Sequence, residues 1–117
     1  MEIIKTSTED KVAIYKLTQD AGIQFMKDSK GQLITVKDWA HYTDTDKDGN
    51  TREIISIMDN DGVVRATNSV TFRKDFLNMV DLFGQELASI TVVAGVSKNN
   101  REFITCSLAD VKATKKK

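Results

Sequence analysis

A chain of 117 residues and 13.1 kDa, with 17 Lys and Arg balanced by 17 Asp and Glu, is the size of one domain and carries no net charge. With 40% apolar and 29% charged residues, it can bury a modest core and lacks the composition of a disordered chain. Apolar runs such as 90–95 are too short for a membrane span, no basic-then-apolar leader is visible, and one Cys with one His excludes an intrachain disulfide or a four-ligand zinc site, so a cytoplasmic protein is expected.

The first thirty-one residues read as an N-terminal extension. Lys11 to Leu17 is acceptable as a strand, and Asp20 to Lys27, with Ile23 and Met26 three apart, as a short helical turn. Turn signals at 28–31, 44–50, 59–62 and 97–100 then frame strand-like runs. Gln32 to Thr43 reads as one long strand, Arg52 to Met58 as a second and Val63 to Asn68 as a third, together a meander. From Thr71 the period changes: Phe72, Phe76, Met79, Val80 and Phe83 recur at helical spacing, with Ser69 or Thr71 as cap and Gly84 as stop. Leu87 to Gly95 and Arg101 to Leu108 then form a hairpin, and residues 109–117, ending in three lysines, form a flexible basic tail. The expected chain is a single domain, all-β with one helix, in βββαββ order, with its barrel over residues 32–108.

The most conspicuous short motif is Asp44-x-Asp46-x-Asp48-Gly49, the opening of a calcium loop. Its twelfth position is Ile55 instead of a bidentate Glu, and its flanks read as strands, so an acidic turn explains it equally well. The same carboxylates could be read as an acid/base or two-metal pair, but no supporting His, phosphate loop or nucleophile elbow accompanies them, and no enzyme is expected. Cys106 reads as a small buried hydrophobe, and nothing local brings it to His41.

The strand faces are more informative. Alternation puts Arg101, Phe103 and Thr105 on one face of the last strand and Ile104, Cys106 and Leu108 on the other. With the apolar set inside, Phe103 stands beside Arg101 on the outer face, an aromatic next to a cation, which suits stacking on a base and neutralising a phosphate. In the long strand Lys37, Trp39 and His41 form one set, which leaves Trp39 half-exposed between polar neighbours. Arg52 opens the second strand, and Arg65 lies in the third beside Thr67. For any single aromatic, burial in the core is the commoner fate. Their coincidence on one sheet favours the binding reading.

A βββαββ order with a closing hairpin is that of the oligonucleotide-binding fold (OB-fold), a five-stranded Greek-key barrel. Ile14-Tyr-Lys-Leu-Thr-Gln19, the Gly31 to Tyr42 strand, Asp61-Gly62, Arg65-Ala-Thr-Asn-Ser69, Thr71-Phe72, Ser97-Lys98 and Arg101-x-Phe-Ile-Thr-Cys106 carry a further likeness. Over roughly Lys11 to Leu108, the sequence resembles the small single-stranded DNA-binding proteins of tailed phages of Gram-positive bacteria, including those with protein-primed replication. The resemblance implies non-specific coating of single-stranded DNA during replication in the host cytoplasm, with replication proteins as further partners, no cofactor and no membrane. It maps the family's basic and aromatic closing hairpin onto Lys98, Arg101 and Phe103. Two departures stand out: Asn99-Asn100 occupies a turn where a Gly is expected, and the C-terminus is basic where bacterial single-strand binders end in an acidic tip.

The expected interface is therefore Lys37, Trp39, Arg52, Arg65, Lys98, Arg101 and Phe103, with no catalytic or metal-binding residues. Monomer and homodimer stay open, as do two alternatives: a protein-interaction or regulatory module on the same barrel, and a metal-binding module on the 44–48 loop. Charge is unevenly spread: residues 1–31 are neutral, 32–62 carry four excess negatives and 63–117 four excess positives. Overall neutrality thus limits long-range attraction without forbidding a local basic and aromatic face.

Overall fold

The computed structural model describes residues 1–111. These form two sheets and two α-helices in the order β1 (Glu2–Thr6), α1 (Lys11–Thr18), β2 (Gln24–Phe25), β3 (Leu33–Thr35), β4 (Asp38–Thr45), β5 (Thr51–Met58), β6 (Val64–Thr67), α2 (Val70–Phe83), β7 (Leu87–Val96) and β8 (Glu102–Val111). One sheet runs β1-β4-β5-β6-β2 and the other β3-β7-β8. The chain is mostly β, and no closed barrel is formed among the described residues: β6 takes β2 as its second neighbour and β8 is an edge.

The long strand expected over 32–43 is two strands. Leu33, Ile34 and Thr35 pair with Thr91, Ile90 and Ser89 of β7, whereas β4 pairs with β5 along its length and with β1. The hand-over is made by two backbone bonds, from the Val36 N–H to the Ala88 carbonyl and from the Lys37 N–H to the Met58 carbonyl. Ile34, Val36 and Trp39 all enter one core, and the three-residue step from Val36 to Trp39 breaks a period of two, which only a bent chain can do.

Lys11 to Leu17 is helix α1 and not a strand. The Asp10 side chain accepts from the Val12 N–H as its N-cap, and Ala13 and Leu17, four apart, are the buried pair. They pack with Ala40, Tyr42, Met58 and Val64 in a second cluster on the outer face of β4–β6, so β4 is buried on both faces. Asp20 to Lys27 is not one helical turn: Gln24–Phe25 pair in parallel with Arg65 and Ala66, and a 3-10 turn begins only at Met26 and runs to Ser29. The one-helix expectation thus becomes two, and the N-terminal segment adds strands β1 and β2.

Helix α2 starts where expected, with the Ser69 hydroxyl accepting from the Phe72 N–H, and stops at Gly84 with φ +56°. Phe72, Phe76 and Val80 enter the main core, where Phe76 meets Trp39 edge to face at 5.8 Å between centroids. Ala109, Asp110 and Val111, expected in a flexible tail, continue β8; the lysines at 115–117 lie outside the described residues.

Three hairpin turns share one construction. In the β4–β5 turn the Gly49 N–H bonds the Asp46 carbonyl and the Asp46 N–H bonds the Asn50 carbonyl. The β5–β6 turn repeats this with Gly62, Asp59 and Val63, and the β7–β8 turn with Asn100, Ser97 and Arg101. Each needs a left-handed residue in fourth place: Gly49 and Gly62 have φ +86°, and Asn100 has φ +62°. Asn is the residue that best tolerates this conformation after Gly, so the missing glycine leaves the closing hairpin unchanged in form.

Candidate nucleic-acid interface

Where β6 and β8 fail to pair, the fold leaves a groove of about 650 Å³. Its seam is held by the Ser69 hydroxyl, which donates to the Ile104 carbonyl at 2.9 Å. Ile54 of β5 and Ala66 of β6 line its sheet side, β2 and the turn after it form one wall, and Glu102 and Phe103 of β8 form the other. Residues two apart on a strand share a face, so Arg52 projects on the same side as Ile54 and also lines the groove.

Two aromatic rings meet this space. Phe25 is 67% exposed, unusual for a ring of that size, and Lys27 places its ammonium 5.4 Å from the ring centroid. Phe103 lines the same space from β8, backed by Gly95, its cross-strand partner, where any Cβ would collide with the ring. Lys27, Lys30 and Arg52 supply positive charge around the two rings. Aromatic faces with cations at backbone distance are the elements needed to stack bases and neutralise phosphates without reading sequence.

Of the seven residues expected at the interface, Arg52 and Phe103 line this groove. Lys98 and Arg101 are exposed in the β7–β8 turn just ahead of Phe103, and Lys37 is exposed at the β3–β4 bend, outside the groove lining. Trp39 requires correction: it is 6% exposed and belongs to the main core, because the bend at Val36–Lys37 reverses the phase of alternation. Arg65 is also committed internally. It donates to the Asp59 carboxylate at 2.9 Å and to the Ser29 hydroxyl at 2.8 Å, with its side chain only 15% exposed.

Phe25, Lys27 and Lys30 were missed. A helical turn over Asp20 to Lys27 singles out Ile23 and Met26, three apart, and leaves Phe25 unassigned. The available signal was an aromatic two residues before a lysine, the mirror of Arg101-x-Phe103. In an extended strand, neighbours point oppositely, and the structure sends Met26 into the core and Phe25 outward.

The remaining chemistry-bearing groups are occupied. Asp46 accepts the N–H groups of Asp48 and Asn50. The Asn50 bond first, then that from Asp48 and the charge of Arg52, hold its carboxyl below the usual range against a smaller opposing effect of burial. No group of three side chains able to hold a metal ion occurs among the described residues. His41 Nε2 lies 2.8 Å from Glu53, which also contacts Arg73 at 3.4 Å. Cys106 is instead buried against the Phe72 carbonyl, and burial, with a lesser push from Asp75, raises its thiol to about 12. A thiol held that high is no nucleophile.

No helix among the described residues is long and apolar enough to cross a membrane. No curated protein and no solved structure matches the chain. The family model described as phage single-stranded DNA-binding protein matches residues 2–109. The chain therefore belongs to the phage single-stranded DNA-binding protein family.

Proposed function

We propose that this protein coats single-stranded DNA non-specifically during phage DNA replication, and that the strand lies in the groove between β2 and β8. The observation that carries the reading is the pair of rings, Phe25 and Phe103, in one groove with Lys27, Lys30 and Arg52. Lys98 and Arg101 extend the path along the closing hairpin. Trp39 and Arg65 take no direct part, since Trp39 is buried and the Arg65 guanidinium is held by Asp59 and Ser29.

The architecture is read as an OB-fold with one open seam. Taking β3 and β4 as one bent strand gives the order β6-β5-β4/β3-β7-β8, with α2 between the third and fourth barrel strands. That is the Greek-key order of the fold, and the β2 insertion on β6 occupies the edge where β8 would close the barrel. An open seam suits a flexible strand, because it exposes aromatic side chains that closure would cover.

The test is fluorescence anisotropy of labelled oligo-dT at low and moderate salt. Binding should weaken with salt, since phosphate neutralisation releases counterions. Phe25→Ala and Phe103→Ala should each cost about 1–3 kcal/mol, the usual worth of one base stack. Unchanged affinity in both variants, with circular dichroism showing a native fold, would reject the groove as the interface.

A further inference from the structure

Two groove cations already hold carboxylates. The Lys30 ammonium lies 3.3 Å from a Glu102 oxygen, a contact that joins the segment before β3 to the first residue of β8, and the Arg52 guanidinium lies 3.8 Å from Asp46. The exposure of these pairs is telling. Lys30 and Glu102 are 43% and 77% exposed, whereas Arg65 and Asp59, which tie down the β5–β6 turn, are 15% and 14%. Ion pairs as open as Lys30–Glu102 add little to stability, so holding the fold together is a poor account of why a carboxylate sits in a groove meant for a polyanion.

Resting on the reading of the groove as a single-strand interface, we propose that Glu102 is a place-holder for a strand phosphate. It occupies the Lys30 ammonium in the free protein and must be displaced when DNA enters, so it sets the affinity. Asp46 stands in the same relation to Arg52, with less freedom because its other oxygen is bonded by the backbone of its own turn. Exchange of one anion for another keeps each cation aimed at the groove at all times. It also lowers the net positive charge the strand meets, which weakens affinity and salt dependence together and favours release of the strand.

The experiment compares the full chain with Glu102→Gln, Glu9→Gln, Lys30→Gln and the Lys30→Gln/Glu102→Gln double variant, by anisotropy of labelled oligo-dT across a salt series. Glu9 is exposed and outside the groove lining, so its variant controls for charge alone. Glu102→Gln should bind about twofold to fivefold tighter at low salt, the range set by exposed ion pairs. Its log–log salt slope should steepen by up to about 0.7, the value for one extra phosphate on a single strand. In the Lys30→Gln background the same change should give no gain beyond that of Glu9→Gln.

If Glu102→Gln binds no tighter than Glu9→Gln, or gains as much without Lys30 as with it, the place-holder is overturned while the interface stands. If neither the wild-type chain nor Glu102→Gln binds oligo-dT, the interface reading falls and takes the place-holder with it.

Discussion

The ring of Phe103 rests on the backbone of Gly95, its cross-strand partner in the β7–β8 hairpin, so closely that no side chain fits at position 95. Gly95 has no positive φ; it is glycine because the ring needs the space. Gly95→Ala should therefore push Phe103 off its seat while the strand pairing survives. Weaker oligo-dT binding, by up to the roughly 1–3 kcal/mol of a base stack, with a near-wild-type melting temperature is the expected result. Unchanged binding would show that the ring's seat does not matter.

Trp39 should report on the core and not on DNA. Packed edge to face on Phe76 at 6% exposure, it should fluoresce at short wavelength, resist aqueous quenchers and respond little to saturating oligo-dT. Trp39→Phe should lower the urea midpoint and leave DNA affinity near wild type. Trp39→Ala should cost about 3–5 kcal/mol, a large part of the total stability of a domain this size. Strong quenching by oligo-dT would return Trp39 to the interface.

The contrast between Phe103 and Trp39 shows which signals in the sequence are robust. Alternation from Arg101 to Cys106 puts Ile104 and Cys106 inside and Phe103 outward, but Leu108, expected inside with them, is 44% exposed, because it lies next to the irregularity in the β7–β8 register. At Trp39 the alternation slips, because β3 and β4 serve two sheets, and the slip shows only as a three-residue step between Val36 and Trp39. Helix α2 was legible from five spaced apolar residues and a Ser cap. Helix α1 was not: two turns bury only Ala13 and Leu17, while Val12 at 63% and Tyr15 at 53% exposure imitate a strand pattern. The groove was beyond local reading altogether, since its walls, β2 and β8, are far apart in sequence, and only the tertiary fold brings Phe25 and Phe103 to one space.

Acid should loosen the β5–β6 turn. Burial works against ionisation of Asp59, but the bonds from Arg65 and from the Val63 and Asp61 N–H groups outweigh it and hold the carboxyl below its usual value. A depressed carboxylate contributes stability that is complete above its unfolded pKa of about 3.9 and is lost as pH falls through the lower folded value. Asp59→Asn should thus cost about 1–3 kcal/mol near neutrality, and its melting curve should converge on that of wild type as pH drops below about 4. A difference that persists into strong acid would mean the ion pair is not its source.

Asn100 carries the closing hairpin, and its backbone conformation makes a signed prediction. At φ +62°, with its N–H on the Ser97 carbonyl, it fills the place that Gly49 and Gly62 fill in the other two turns. Asn100→Gly should be neutral or slightly stabilising, because the strain of a Cβ in the left-handed region disappears while some chain entropy is lost. Asn100→Val should cost about 1–2 kcal/mol or more, since a β-branched residue is poorly accommodated there. The Arg101 N–H bonds the Ser97 hydroxyl across the same turn, and Phe103 follows two residues later. The Val variant should accordingly weaken oligo-dT binding as well as the melting temperature, whereas the Gly variant should change neither much. Equal melting temperatures for the two would show that the turn relaxes freely and does not position the β8 end of the groove.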